Sequence, residues 1–330
     1  MKRATLIVFT FLAFASCNQS PPLLWRFKTN GPIYSSPAVA GSNLVVASMD
    51  GFLYALNLQS GQLVWKQNIG TASVGTPLVR GNLIYVGGGK GEVFCLDAAT
   101  GNIRWQFHTG NSMEYCPCAD DSGIYFGSRD YSFYKISYSG NKIWSYKTTY
   151  YLWGTCAFYK NFVLTSAWDF HIYAFDRTTG NVGWKYSAGI QIYGSPEIVK
   201  DQVYFATHGK LYRLDANTGN VLGQATTGYL DEVTFWNGFL WTNDGGLKKR
   251  TLDGAPITSL SFNTTAQVKP VATGKYIVLA GDNVLYGISP EMKILWKFKA
   301  EDDFWRAGIV ANDTYYIGNR DFYVYAVRLP

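Results

Sequence analysis

Side chains able to act on a substrate are few and scattered. The three histidines, His108, His171 and His208, stand far apart in the 330 residues, and no Gly-x-Ser-x-Gly elbow is present. A Ser–His–acid relay therefore has no starting point. Asp231 and Glu232 are neighbours, and on a strand their carboxylates would point to opposite faces. No set of oxygens large enough for calcium can be placed around them. What recurs instead is flat and aromatic. One position, returning about every 40 residues, reads Tyr34, Val74, Tyr115, Trp153, Tyr193, Asp231, Lys269 and Arg306. Four of the first five are aromatic and the last three are charged. Tyr150, Tyr151, Tyr229, Phe304 and Trp305 stand beside them. Exposed rings next to charges suit binding rather than bond-making, so no catalytic residue and no metal ligand is assigned. Packing of the rings on one another to plug an opening is the competing reading.

The elements that must position these residues follow from a repeat. Trp25, Trp65, Trp105, Trp144 and Trp184 are separated by 40, 40, 39 and 40 residues, and Trp296 follows after 112, close to three further periods. Gly223 and Thr258 occupy the tryptophan column in between. Trp65, Trp105, Trp144 and Trp184 each end a Thr-Gly or Ser-Gly hairpin stretch, such as Asp97-Ala98-Ala99-Thr100-Gly101-Asn102-Ile103-Arg104-Trp105. Glycine there accepts positive φ without steric cost. A second column, Asp50, Lys90, Asp130, Asp169, His208, Asp244, Asp282 and Asp321, precedes a mostly aromatic position by four residues in all eight units. Aspartate in such a turn is expected to accept hydrogen bonds from nearby backbone N–H groups.

Four short strand patterns per unit predict propeller blades. The expected fold is all-β, an eight-bladed β-propeller of four-stranded antiparallel blades over residues 24–330. Leu24-Trp25-Arg26-Phe27 has only an outer strand, and residues 308–329 have only the other three. The N-terminal strand is thus expected to complete the last blade. Seven blades with one misread unit is the alternative. Trp25, Trp65, Trp105, Trp144, Trp184 and Trp296 are assigned as structural blade tryptophans.

The strand–Asp-Ala-x-Thr-Gly-x-x-x-Trp pattern resembles the PQQ-type (quinoprotein) β-propeller repeat. Quinoprotein dehydrogenases use PQQ, a calcium ion and a catalytic aspartate, with a disulfide between adjacent cysteines and long insertions. This chain lacks the adjacent cysteines and the insertions, so PQQ is not expected and no cofactor is assigned. In lipobox, length, blade number and lack of cofactor the chain is similar to the BamB family of propeller lipoproteins of outer-membrane β-barrel assembly. That resemblance implies a scaffold docking on a barrel-assembly protein, although the family's docking-loop motif is not found. Tyr34, Tyr115, Tyr151, Trp153, Tyr193, Asp231, Lys269, Trp305 and Arg306 are assigned to a partner- or ligand-binding loop face. A carbohydrate- or peptide-binding module is the alternative function.

Residues 1–16 read as a signal peptide: Lys2-Arg3, then an apolar run from Ala4 to Ala15 too short to span a membrane as a mature helix. Phe14-Ala15-Ser16-Cys17 resembles a lipobox with Phe14 where leucine is usual, making Cys17 the lipidated residue and 17–23 a tether. Ordinary cleavage beside an incidental cysteine is the alternative. Asn18 is not the aspartate that retains lipoproteins at the inner membrane. The expectation is an exported bacterial outer-membrane lipoprotein, on the periplasmic face in preference to the cell surface, touching the membrane through its anchor only.

The net charge of +6 is mild, and Lys248-Lys249-Arg250 is the only basic run. It is read as a solvated face rather than a nucleic-acid patch, so no nucleic-acid partner is assigned. Around residues 223–270, with two tryptophans missing, looser packing is expected, from drift or because a partner covers that side. Cys118 and Cys156 are read as equivalent positions on adjacent inner strands, in a column shared with Pro37, Pro77 and Pro196. A bridge among Cys116, Cys118 and Cys156 and a soft-metal site are both open. Free cysteines are the default, because adjacent inner strands are expected to lie too far apart.

Overall fold

The structure is a computed structural model that describes residues 20–330 except 71–74, 114–115, 231 and 263–267. The described residues form eight four-stranded antiparallel sheets. Blades 1 to 7 are continuous in sequence: residues 38–68, 78–108, 118–147, 157–187, 197–226, 233–260 and 271–299. Blade 8 takes three strands from residues 309–328, and its outer strand is Leu23–Lys28. Trp25 lies opposite Ala326 and Lys28 opposite Tyr323. The ring is closed by the two chain ends, and the blade number is eight.

Within a blade the second and third strands are buried on both faces, as in Asn43–Ala47 and Phe52–Asn57, and read as nearly continuous apolar runs. Outer strands alternate, as in Leu63–Asn68, because one side of each faces solvent. The core is correspondingly divided between blades. Val45, Ala47 and Leu53 of blade 1 pack with Ile84, Val86, Phe94 and Leu96 of blade 2, and Tyr316, Val324 and Ala326 of blade 8 pack with Leu44, Val46 and Leu56 of blade 1.

Five outer-strand tryptophans hydrogen-bond to the next blade. Trp25 Nε1 donates to the Leu58 carbonyl at 3.0 Å, Trp65 to Ala98 at 3.1 Å, Trp105 to Tyr138 at 3.0 Å, Trp144 to Arg177 at 3.2 Å and Trp184 to Ala216 at 3.1 Å. The indole lies on the turn glycine that follows. A Cβ at Gly61 would sit 2.5 Å from the Trp25 ring, and one at Gly219 would sit 2.5 Å from Trp184. The turn therefore needs glycine twice over, for its positive φ and for the indole's approach.

In the two units without tryptophan a long cation stands opposite the vacant column, and the outer strand Pro256–Leu260 of the second is exposed along most of its length. The residue opposite each tryptophan is small in five blades: Ala55, Cys95, Ala174, Gly287 and Ala326. Opposite Gly223 stands Arg213, and opposite Thr258 stands Lys249. Arg213 Nη1 reaches the Leu252 carbonyl at 3.5 Å and Lys249 Nζ the Pro290 carbonyl at 3.2 Å. These are the carbonyls a tryptophan would have used; blade 3 has both donors, Lys135 opposite Trp144 and reaching the same Arg177 carbonyl at 2.6 Å. At the seam between blades 7 and 8 the column runs out of turns. Trp296 is 2% exposed and lies over Gly287, and its Nε1 and the Tyr276 hydroxyl have no partner among the described residues.

Two expectations are corrected. The run Lys248-Lys249-Arg250 is not a solvated face. Arg250 is 2% exposed and donates to Asp244 Oδ2 at 3.1 Å, the Gly254 carbonyl at 3.0 Å and Thr242 Oγ1 at 3.1 Å. Lys248 pairs with Asp244 at 2.8 Å, and Lys249 lies 4.0 Å from the Phe239 ring centre. Buried carboxylate, carbonyls and rings hold the cations inside the blade. Nor are the cysteines free: Cys118 and Cys156 form a disulfide with Cα atoms 5.9 Å apart, well inside disulfide range. Neighbouring inner strands come close at the ring's centre, and the two cysteines are not equivalent. Cys118 opens its inner strand, whereas Cys156 stands one place before its own, in the column of Pro37, Pro77, Pro117 and Pro196. Cys95 and Cys116 remain free thiols.

Arg213→Ala should cost about 0.5–1.5 kcal/mol, because the Leu252 carbonyl loses one donor and keeps the Tyr204 hydroxyl at 2.9 Å. Adding Gly223→Trp should recover most of it, since this rebuilds the Ala174–Trp184 pairing of blade 4. Urea unfolding of the single and double variants checks this. A double variant no more stable than the single would mean that Arg213 does not stand in for the missing indole.

Candidate binding face

Turns between second and third strands and the loops joining blades share one face. The aspartate column fixes it. Asp50 Oδ1 accepts from Phe52 N at 3.0 Å, while Oδ2 accepts from Asn30 N at 3.0 Å and the Tyr54 hydroxyl at 2.5 Å. Asp130 accepts from Ser132 N at 2.9 Å, Gly110 N at 2.8 Å and the Tyr134 hydroxyl at 2.6 Å. Asp169 takes the Tyr173 hydroxyl at 2.7 Å, and Asp321 takes that of Tyr325. The four-residue interval in the sequence is thus a hydrogen bond from tyrosine to the turn carboxylate. The same carboxylate in blades 1 and 3 also holds the loop arriving from the preceding blade. In blade 6 Lys248 replaces the tyrosine, and Gly228 N donates to Asp244 at 2.9 Å.

Environment splits the column electrostatically. Burial pushes the Asp244 carboxyl up, but the Lys248 and Gly228 hydrogen bonds and the Arg250 charge outweigh it, leaving it below its ordinary value of 3.8. Asp321 goes the other way: burial raises it, helped by Glu301 and Asp302, against the Tyr325 hydroxyl.

On this scaffold the structure gathers Tyr151, Trp153 and Tyr193 into one arc and adds rings that the sequence reading did not assign to the site. Tyr131 stacks on Tyr150 at 5.5 Å, and Tyr150 lies 4.4 Å from Tyr151. Tyr151 lies 4.7 Å from Trp168, and Trp168 stacks on Trp153 at 4.3 Å. Tyr193 is 5.0 Å from Trp168 and stacks on His208 at 4.3 Å, and His208 stacks on Tyr229 at 3.4 Å. Arg129 lies 5.2 Å from the centre of Tyr151. The arc crosses blades 3 to 6. Its partial self-stacking is the plugging that the sequence left open, yet Tyr131, Tyr150 and Tyr229 stay 38%, 41% and 58% exposed.

Tyr34 and Trp305 form a second station, 5.6 Å apart edge-to-face, with Trp305 57% exposed and Arg306 adjacent in sequence. Lys269 belongs to the inner wall, where its Nζ meets Glu197 Oε2 at 3.1 Å. Burial lowers the Lys269 pKa, and the Glu232 and Glu197 carboxylates more than offset this, so it sits above its ordinary value. Cys116 has its thiol pushed up to about 12 by burial, against the Arg306 charge. Tyr115, Asp231 and Cys17 lie outside the described residues, as does the signal-peptide stretch. Among the described residues no group of His, Cys, Asp or Glu could hold a metal ion, and no helix is long and apolar enough to cross a membrane.

A family model described as outer membrane protein assembly factor BamB matches residues 19–115, 59–157 and 116–235, together more than half of the chain. The chain belongs to this family. The crystal structure of BamB from Moraxella catarrhalis superposes with a TM-score of 0.82 at 18% identity, covering 94% of this chain and 100% of that one. The computationally designed Ika8 protein superposes with a TM-score of 0.81 at 14% identity, covering 92% and 98%. At such identities these two structures speak for the fold alone. No curated protein matches the chain.

Because Asp244 has a depressed folded-state pKa, its contribution to stability is present above the unfolded aspartate value and lost as pH falls through the folded one. The urea midpoint should therefore drop between about pH 5 and pH 3. Asp244→Asn should cost about 3–5 kcal/mol at neutral pH, by leaving buried Arg250 without its carboxylate, and should show a smaller acid drop. Equal acid drops in both proteins would refute the assignment.

Proposed function

We propose that the chain is a non-catalytic, lipid-anchored scaffold of the bacterial envelope whose loop face docks a protein partner. The partner is an outer-membrane β-barrel assembly protein. The observation that carries this is the loop face itself: exposed rings and charges stand where propellers bind, on a chain of the BamB family. The histidines support the non-catalytic reading. His208 lies between two tyrosine rings, and His171 Nδ1 faces the backbone carbonyl of Asp169 at 2.8 Å. Neither meets a serine or cysteine nucleophile in these contacts. No PQQ or other cofactor is required. Cys17 carries the anchor, and the chain sits on the periplasmic face of the outer membrane. The Cys118–Cys156 disulfide fits an oxidising compartment outside the cytoplasm. A carbohydrate-binding module is the second reading, favoured by the 57% exposure of Trp305.

Affinity capture of the full-length protein from its own envelope, followed by mass spectrometry, should enrich a barrel-assembly protein. Trp305→Ala with Trp153→Ala should reduce that enrichment at least about tenfold. Cys17→Ser should move the protein from the membrane fraction to the soluble periplasmic one. Capture that survives both ring substitutions would place the docking surface elsewhere, and retention on a glycan array without any protein partner would favour the second reading.

A further inference from the structure

Three turns of the loop face carry a residue that their backbone disfavours. The position after the turn aspartate column has φ of +85° at Gly51, +95° at Gly91, +108° at Gly209 and +77° at Gly245. Blades 3, 4 and 8 place Tyr131, Phe170 and Phe322 there, at φ of 73°, 75° and 75°. A bulky L-residue in that region is strained by its own Cβ, and glycine would not be. Burial does not compensate, because the three rings are 38%, 43% and 37% exposed. Strain kept for rings that stay more than a third exposed points to use at the surface.

Tyr131 and Phe170 belong to the same part of the face as the aromatic arc. Tyr131 stacks on Tyr150, and Phe170 follows Trp168 and Asp169 in one turn. The loops 148–156 and 188–196 contain no charged residue. The carboxylates of Asp130 and Asp169 are turned inward onto Tyr134 and Tyr173. Among the described residues, exposed cations beside these rings include Arg129 and Lys147, against the rings of Tyr151 and Tyr131, and Lys210, two residues after His208. Across the mouth the carboxylates are paired, Glu301 with Arg26 at 2.9 Å and Asp303 with Arg320 at 3.9 Å. Within the arc, ring faces cover ring faces: Trp153 on Trp168 at 28° and Tyr193 on His208 at 8°. A sugar ring needs open faces, whereas ring edges, hydroxyls and a cationic fringe suit aromatic and acidic side chains.

We propose that the arc from Tyr131 to Tyr229 binds an extended polypeptide segment carrying aromatic and acidic side chains. Its aromatic residues join the edges of the arc, and its carboxylates meet Arg129 and Lys147. The proposal rests on the loop face being the binding face, but not on which envelope protein docks there.

The test is fluorescence anisotropy of the purified full-length protein with a labelled Gly/Ser peptide bearing phenylalanines and glutamates. Controls replace glutamate by lysine, or phenylalanine by alanine, and a chito-oligosaccharide is the glycan probe. The Phe/Glu peptide should bind at least about tenfold more tightly than either control peptide. Tyr131→Gly with Phe170→Gly should lose about tenfold in affinity while the urea midpoint holds or rises, because the turns are relieved. Unchanged affinity in that variant would overturn the proposal, and so would binding of the oligosaccharide alone or of no probe. A lowered midpoint with unchanged binding would make the rings structural. Failure of the envelope capture with peptide binding intact would sink the docking reading and leave this one standing.

Discussion

The ring stands on one repeated contact, an outer-strand donor reaching a carbonyl in the next blade. In five blades the donor is an indole lying on a turn glycine. In two it is a long cation from the strand alongside. The acceptor is kept while the donor changes. This shows that the requirement is for a filled volume and a satisfied carbonyl between blades, rather than for tryptophan as such. Where the next turn does not exist, the indole folds over its own blade and its N–H goes without a partner.

Because the indoles and glycine turns hold the ring from the side opposite the loops, the loop face is released from that duty. Its own order comes from the turn aspartates, which tie each turn to a tyrosine and, in several blades, to the loop arriving from the neighbour. Rings can then be displayed without being needed for the core. Tyr229 and Trp305, the most exposed aromatics among the described residues, are both on this face.

Much of this was legible in the sequence. Blade number, ring closure by Leu23–Lys28 and the turn aspartates follow from spacing alone, since a repeat writes its period into the chain. What escaped depends on residues that meet across strands or blades. Lys248-Lys249-Arg250 looks solvated until Asp244 is seen buried beneath it. The placing of Arg213 opposite Gly223 is visible only once the strand register pairs them. Cys118 and Cys156 bridge because of an offset of one residue, which the 39-residue gap between Trp105 and Trp144 hides. Of the face, Trp153 and Tyr193 were found by column and Tyr151 as a neighbour of it. Trp168 and His208 stand in the turn column of that face, but their stacking on Trp153 and Tyr193 showed only when the turns and loops were seen side by side. The aromatics at positive φ could have been noticed by aligning Tyr131, Phe170 and Phe322 with Gly51 and Gly91.

Closing the last blade with Leu23–Lys28 also sets an order of events. Leu23–Lys28 must wait during synthesis or export for residues 323–328, which follow it by nearly the whole described chain, before it gains a partner. Until then seven complete blades can form, but the ring stays open at one seam, with Tyr316 and Val324 lacking the neighbours that bury them. Completion is therefore a single late step of very long sequence separation, and the slow, loop-closing part of folding is concentrated there.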